Sequence, residues 1–175
     1  MKRDSQEIPM DDAIQIIKES PFVKSPDADD EYFWSIEVKD PLTGKLVEAS
    51  IHPDALMDSL GEECGETDLF VCGCSDAGCA GFANERFEST DRFVHWSLTE
   101  YRQPYSWYFD RTEYEASAIE MLHEIYVSRR GWRFNALCYD SYDHFKSAVE
   151  KFLAAKPHFR TIWDEIDNEK EKLKT

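Results

Sequence analysis

The order in which two hydrophobic periods follow each other constrains this chain most. Up to about residue 100 the apolar residues alternate, and beyond it they recur every three or four positions. Tyr32 to Val38 puts Trp34, Ile36 and Val38 on one face, and Lys45 to Ile51 does the same with Val47, Ala49 and Ile51. Asp40-Pro41-Leu42-Thr43-Gly44 between them has turn chemistry, so the pair predicts a β-hairpin. Leu69 to Cys74, Phe82 to Glu88 and Arg92 to Leu98 read as three further strands. Asp11 to Glu19 reads as a short helix, and His52-Pro53-Asp54 opens another to Leu60, closed by Gly61. Asp110, with Glu113 three residues on, is an N-cap signature for a long helix to about Arg130, striped by Tyr114, Ala118, Met121, Leu122 and Ile125. Trp132 to Cys138 fits a short strand, and Ser141 to Ala155 and His158 to Lys174 fit two more helices. Strands first and helices later predict an α+β domain, an antiparallel sheet of about five strands packed against C-terminal helices. A length of 175 residues suits one domain over 1–175, with mobile ends at 1–10 and 170–175.

Charge narrows the function classes. The net charge is −16, and residues 1–70 hold 18 acidic against 6 basic residues, so the first two-fifths of the chain carries most of the excess. Phosphate contacts need clustered Lys and Arg, which disfavours nucleic acid, and anionic membranes are disfavoured on the same ground. An acidic surface suits steering of a basic protein partner, or simply keeps the chain in solution. Met1-Lys2-Arg3 leads into Asp4, Gln6 and Glu7 instead of an apolar stretch, and no window approaches 20 apolar residues. With an odd count of five cysteines, the expectation is a reducing cytoplasm and no disulfide framework.

Three of those cysteines fall within eight positions, Cys72-Gly73-Cys74-Ser75-Asp76-Ala77-Gly78-Cys79. Thiolates so close can converge on one ion if the backbone turns sharply, and Gly73, Gly78 and Gly81 permit the turn. A closed structural zinc site takes four soft ligands, so Cys72, Cys74 and Cys79 need a fourth. Cys64 is nearest in sequence and His95 is the next option, while Cys138 is remote and suits an apolar interior. The competing reading is a tight turn in which reduced cysteines act as small packing residues. A redox role is disfavoured, since Cys-x-x-Cys is absent and no Lys or Arg stands beside the thiols.

The Cys-x-Cys-x4-Cys spacing with Gly after the last cysteine resembles the post-SET zinc knuckle of lysine methyltransferases. That resemblance covers Cys72 to Gly81 only, with Ser75 where Gly is usual and no other SET motif in the chain. It implies a metal-binding shape and no methyl transfer. A wider stretch, Cys72 to Cys79, Val94-His95-Trp96, Tyr108-Phe109-Asp110-Arg111 and Tyr114-Glu115, is similar to an uncharacterised group of bacterial proteins. This second resemblance implies a bacterial source and a shared fold, and carries no activity.

Local catalytic signatures are missing. His52, His95, His123, His144 and His158 are scattered, His123-Glu124 lacks the second histidine of a zinc-protease helix, and no nucleophile elbow or phosphate-binding glycine loop occurs. Tyr101 to Phe109 instead holds five aromatics and an arginine in nine residues. Tyr, Trp and Arg dominate binding hot spots, which marks Tyr101, Arg102, Tyr105 and Trp107 as candidate partner contacts, with Asp27, Asp29 and Asp30 as an acidic complement. A loop folded back over the sheet is the alternative. The functional expectation is a small acidic cytoplasmic protein-binding protein of the immunity or antagonist type with a structural zinc knuckle. The runner-up is a metal-dependent enzyme or sensor built on the cysteine window.

Overall fold

Alternating apolar and polar residues give nine strands among the described residues of the computed structural model, which are 15–24, 34–71, 81–130 and 139–173. The strands are β1 Ile16–Ile17, β2 Phe22–Lys24, β3 Trp34–Lys39, β4 Leu46–Ile51, β5 Cys64–Glu66, β6 Phe70–Val71, β7 Phe82–Ser89, β8 Phe93–Glu100 and β9 Gln103–Asp110. They form two sheets, one ordered β1-β9-β8-β7-β5 and the other β2-β3-β4-β6. All pairings are antiparallel except β1 with β9, which is parallel. The four helices are α1 Pro53–Gly61, α2 Arg111–Ser128, α3 Tyr142–Ala155 and α4 Pro157–Lys172. The fold is α+β, as the order of periods predicts.

The β3–β4 hairpin forms where expected. The Asp40 carboxylate accepts from the Thr43 amide at 3.0 Å and from the Thr43 hydroxyl, and Gly44 takes the left-handed φ of +70° that the turn needs. The side-chain bond from Thr43, helped by backbone amides, holds the Asp40 carboxyl below the usual carboxylate range. Phe22, Ile36, Val38, Val47, Ala49 and Ile51 line the inner face of this smaller sheet.

In the larger sheet, Phe87, Val94, Trp96, Leu98, Tyr105, Trp107 and Phe109 face the same core. Phe70 of β6 joins the two layers: its ring stacks on Trp107 at 5.8 Å and meets Trp96 edge-on at 6.1 Å. Helix α2 starts at Asp110, whose side chain accepts from the Glu113 amide, as the capping signature predicts. It lays Tyr114 into the core, where the hydroxyl bonds Ser59 Oγ at 3.0 Å and accepts from Trp96 Nε1 at 3.2 Å. On its other side α2 packs on α4, with Trp163, Phe159, Phe145 and Val149 buried between the helices. No helix among the described residues is long and apolar enough to cross a membrane.

Several expectations change. The helix predicted over Asp11 to Glu19 is replaced, in its described part, by β1 and a turn into β2. Parallel pairing of Ile16 and Ile17 with Tyr108 and Phe109 outweighs a short helical pattern ended by Ser20-Pro21. The five-stranded sheet is present, and a second sheet stands beside it, because β1, β2, β5 and β9 add to the strands legible in sequence. The third strand is β6 over Phe70–Val71, while 72–74 and the strand expected over Trp132 to Cys138 lie outside the described residues. Helix α4 runs to Lys172, near the end at Lys174 that the sequence predicts.

Candidate functional site

The turns of two hairpins meet at one end of the molecule. The Lys45 ammonium, in the β3–β4 turn, pairs with Glu100 at 2.5 Å at the end of β8 and donates to the Tyr105 hydroxyl at 3.2 Å. Both partners push the Lys45 pKa above its ordinary value, Glu100 first. Behind them Trp107 Nε1 donates to the Lys39 carbonyl at 3.1 Å, tying β9 to β3. Of the five large apolar side chains that stand exposed among the described residues, three lie here: Leu42 at 93%, Leu46 at 45% and Tyr101 at 75%. Exposed apolar residues scattered singly mean little, whereas their gathering at one end makes that end the candidate site.

Backbone strain gathers at the same end. Glu100 pairs with Gln103, so Tyr101 and Arg102 form a two-residue turn with φ of +48° and +72°. That geometry normally selects Asn-Gly, because a β-carbon is disfavoured at positive φ by roughly 1–2 kcal/mol per residue. Gly81 at φ +84° lies against it: the Tyr101 amide donates to the Gly81 carbonyl at 3.0 Å, and a β-carbon on Gly81 would meet the Tyr101 ring at 2.6 Å. Asn84 at φ +54° marks a bulge one turn further along β7, and Gly44 is the left-handed residue of the facing hairpin. Among the described residues only Arg129, which closes α2, takes a positive φ elsewhere.

The predicted contacts divide across this surface. Tyr101 and Arg102 are exposed at the tip, as a binding role requires. Tyr105 and Trp107 are corrected: they are 5% and 1% exposed, stacked on each other at 5.4 Å inside β9. The segment read as a loop is a strand whose alternate residues face the core. Asp27, Asp29 and Asp30 lie outside the described residues, as do Cys72, Cys74, Cys79 and Cys138. Cys64 is an exposed free thiol on β5, opposite Glu88. Glu88 stands six positions along β7 from Phe82, roughly 20 Å at a strand rise of about 3.3 Å. Phe82 is where β7 begins after the cysteine window, and its ring lies 5.6 Å from that of Phe70 on the entering strand. His95 shares the row of Cys64 and Glu88, stacks on Tyr108 at 4.2 Å and bonds Ser106 Oγ at 2.8 Å. Its burial lowers the His95 pKa. Among the described residues no three His, Cys, Asp or Glu side chains gather in a metal-binding group.

One buried acid lies just after the window in sequence and bonds the strand just before it. The bulge between Ala83 and Arg86 shifts the alternation of β7 by one residue, turning Glu85 onto the inner face with Phe82 and Phe87. Glu85 is 5% exposed and accepts from the Phe70 amide at 2.8 Å at the start of β6. Burial pushes its pKa up to about 8, against the stabilising amides of Phe70 and Leu69 and with the help of the Asp68 charge. At the start of α1, His52 has its pKa lowered by burial, and Asp58 within α1 has its own raised by burial. The bulge is what sequence reasoning missed; Asn84, a residue type enriched at positive φ, is the one local sign of it.

The other histidines have structural surroundings. His123, 1% exposed, holds α2 to α4 through Asp167 at 2.7 Å and Lys170 at 3.2 Å, and meets Trp163 edge-on. His144 accepts from the Asp140 amide, and His158 lies against the Phe159 ring at 3.7 Å. Comparison of the chain with protein-family models, with curated proteins and with solved structures returns no match.

Proposed function

We propose that this chain is a non-catalytic binding protein whose partner contact is centred on the end where the β3–β4 and β8–β9 turns meet. The observation that carries the reading is the pair Tyr101-Arg102, both at positive φ and both exposed, where a stable turn would use Asn-Gly. Strain at an exposed tip persists when the side chains there are needed for something other than folding. Tyr and Arg are residue types that anchor protein interfaces, and Leu42 and Leu46 extend an apolar surface beside them. With a net charge of −16, the partner that suits long-range steering is a basic protein, consistent with an antagonist of the immunity type in a bacterial cytoplasm. A structural zinc held by Cys72, Cys74 and Cys79 would brace the segment that ends at Gly81, on which Tyr101 sits. Cys64 is the weaker choice for the fourth ligand, since it pairs near the far end of β7.

The test exchanges Tyr101-Arg102 for Asn-Gly. Relief of strain should raise stability by about 1–2 kcal/mol. Proteins captured from lysate by the parent chain and lost by the exchanged chain would be purified and titrated directly. A partner bound equally by both, or an exchange that destabilises the fold, refutes the reading.

A further inference from the structure

We propose that a cavity between β1 and β3 binds a short apolar peptide whose two termini are free. Pairing of β2 with β3 stops at Ile36, so residues 37–39 of β3 run on past the end of β2. The chain from β1 to β2 crosses there from one sheet to the other, anchored where the Glu37 amide donates to the Pro21 carbonyl at 2.9 Å. The space left has a volume of about 540 Å³, within the range of small-ligand sites.

Its walls fix the chemistry. Phe109 and Val38, both core residues, form the floor, with Ile17 and Val23 at the sides. Such a lining favours apolar groups displaced from water. Lys18, Lys39, Glu19 and Glu37, two cations and two anions, also line it. None of these four side chains makes an ion pair or hydrogen bond among the described residues. A ligand with only an anionic group would face the two carboxylates uncompensated, and a cationic one would face the two lysines. A zwitterion satisfies both signs. At roughly 30 Å³ per water, the cavity holds about 18 waters, which matches the atoms of a dipeptide. Two apolar side chains on the floor and the two termini beside the charged groups complete the fit. Tyr101 and Arg102 take no part in this cavity, which shares Leu46 and Pro41 with the hairpin end, and the dipeptide titration reads the cavity without that partner.

The experiment is calorimetric titration of the full chain with leucyl-phenylalanine, its N-acetyl form and its C-terminal amide. The parent chain should bind the free dipeptide, and blocking either terminus should weaken binding about tenfold or more. In a Glu19→Gln/Glu37→Gln variant acetylation should change little, and in a Lys18→Gln/Lys39→Gln variant amidation should change little, as coupled partners require. Val23→Trp, which fills the cavity from its half-exposed side, should abolish binding of every form. No binding of the free dipeptide at millimolar concentration overturns the proposal. Equal affinity of the blocked forms, or binding that survives Val23→Trp, overturns it as well.

Discussion

Replacing Glu85 with Gln should stabilise the protein at neutral pH and remove a pH dependence that the parent chain carries. In the unfolded chain this carboxyl loses its proton near its ordinary value of 4.5, whereas in the fold it keeps the proton up to about 8. Between those values the unfolded state binds fewer protons than the native state, so stability falls as pH rises through the window. The loss amounts to as much as 1.36 kcal/mol per pH unit, or roughly 3 kcal/mol accumulated by pH 7. Glutamine has nearly the same shape, its carbonyl can still accept from the Phe70 amide, and it never ionises. Asp68 raises the Glu85 pKa, and the same Asp68 acts on His52 at the start of α1. His52 has the opposite sign, since its depressed pKa removes stability as pH falls below its ordinary value. The measurement is therefore a difference: urea unfolding of parent and variant at pH 5.5, 6.5 and 7.5. The stability gap should widen by about 1 kcal/mol per pH unit, and the melting temperatures by about 2–4 °C for each kcal/mol. Parallel curves would falsify the argument, because they require an ionised carboxylate in the fold.

Tyr114→Phe removes the acceptor of Trp96 Nε1 in a fully buried site while Ser59 keeps its bond to the Leu56 carbonyl. Unfolding should then require about 1–3 kcal/mol less, and a loss below about 0.5 kcal/mol would show that Trp96 finds another partner. If zinc sits on Cys72, Cys74 and Cys79, elemental analysis should find about one ion per chain, with those thiols titrating only after a chelator is added. Metal-free protein with all thiols reactive would leave the window as a turn.

Much of the fold is legible where local and tertiary preferences agree. Asp40 to Gly44 and Asp110 with Glu113 name their turn and cap in the residues themselves, and both form as predicted. The strand β9 was hidden because Tyr105, Trp107 and Phe109 alternate inside a run so aromatic that both its faces look apolar; only pairing with β8 decides which side is buried. The same ambiguity made Tyr105 and Trp107 look like contact residues. Two-residue β1 carries no periodicity to read, and its place depends on a parallel partner more than 90 residues away. Tyr101 and Arg102 could be named from residue type, yet their backbone strain could not, since no turn signal announces a hairpin at Tyr-Arg.

That mismatch locates the end of the molecule where selection for folding is weakest. The helical half follows its local rules: side-chain caps at Asp110 and Ser141, prolines at the first turns of α1 and α4, and a histidine whose two ring nitrogens are both engaged. At the hairpin end the rules break together. A turn lacks its glycine, a tyrosine ring lies where a β-carbon on Gly81 would stand, and leucines stand in solvent. Random drift would scatter such costs, and each is easily relieved by single substitutions. Arg129, Val127 and Leu173 show like features on the helices, but most of them gather on this face beside the ion pair that links the two turns, as the proposed contact would require. The Asn-Gly exchange separates the two demands, because it should improve the fold and lose the partner in one step.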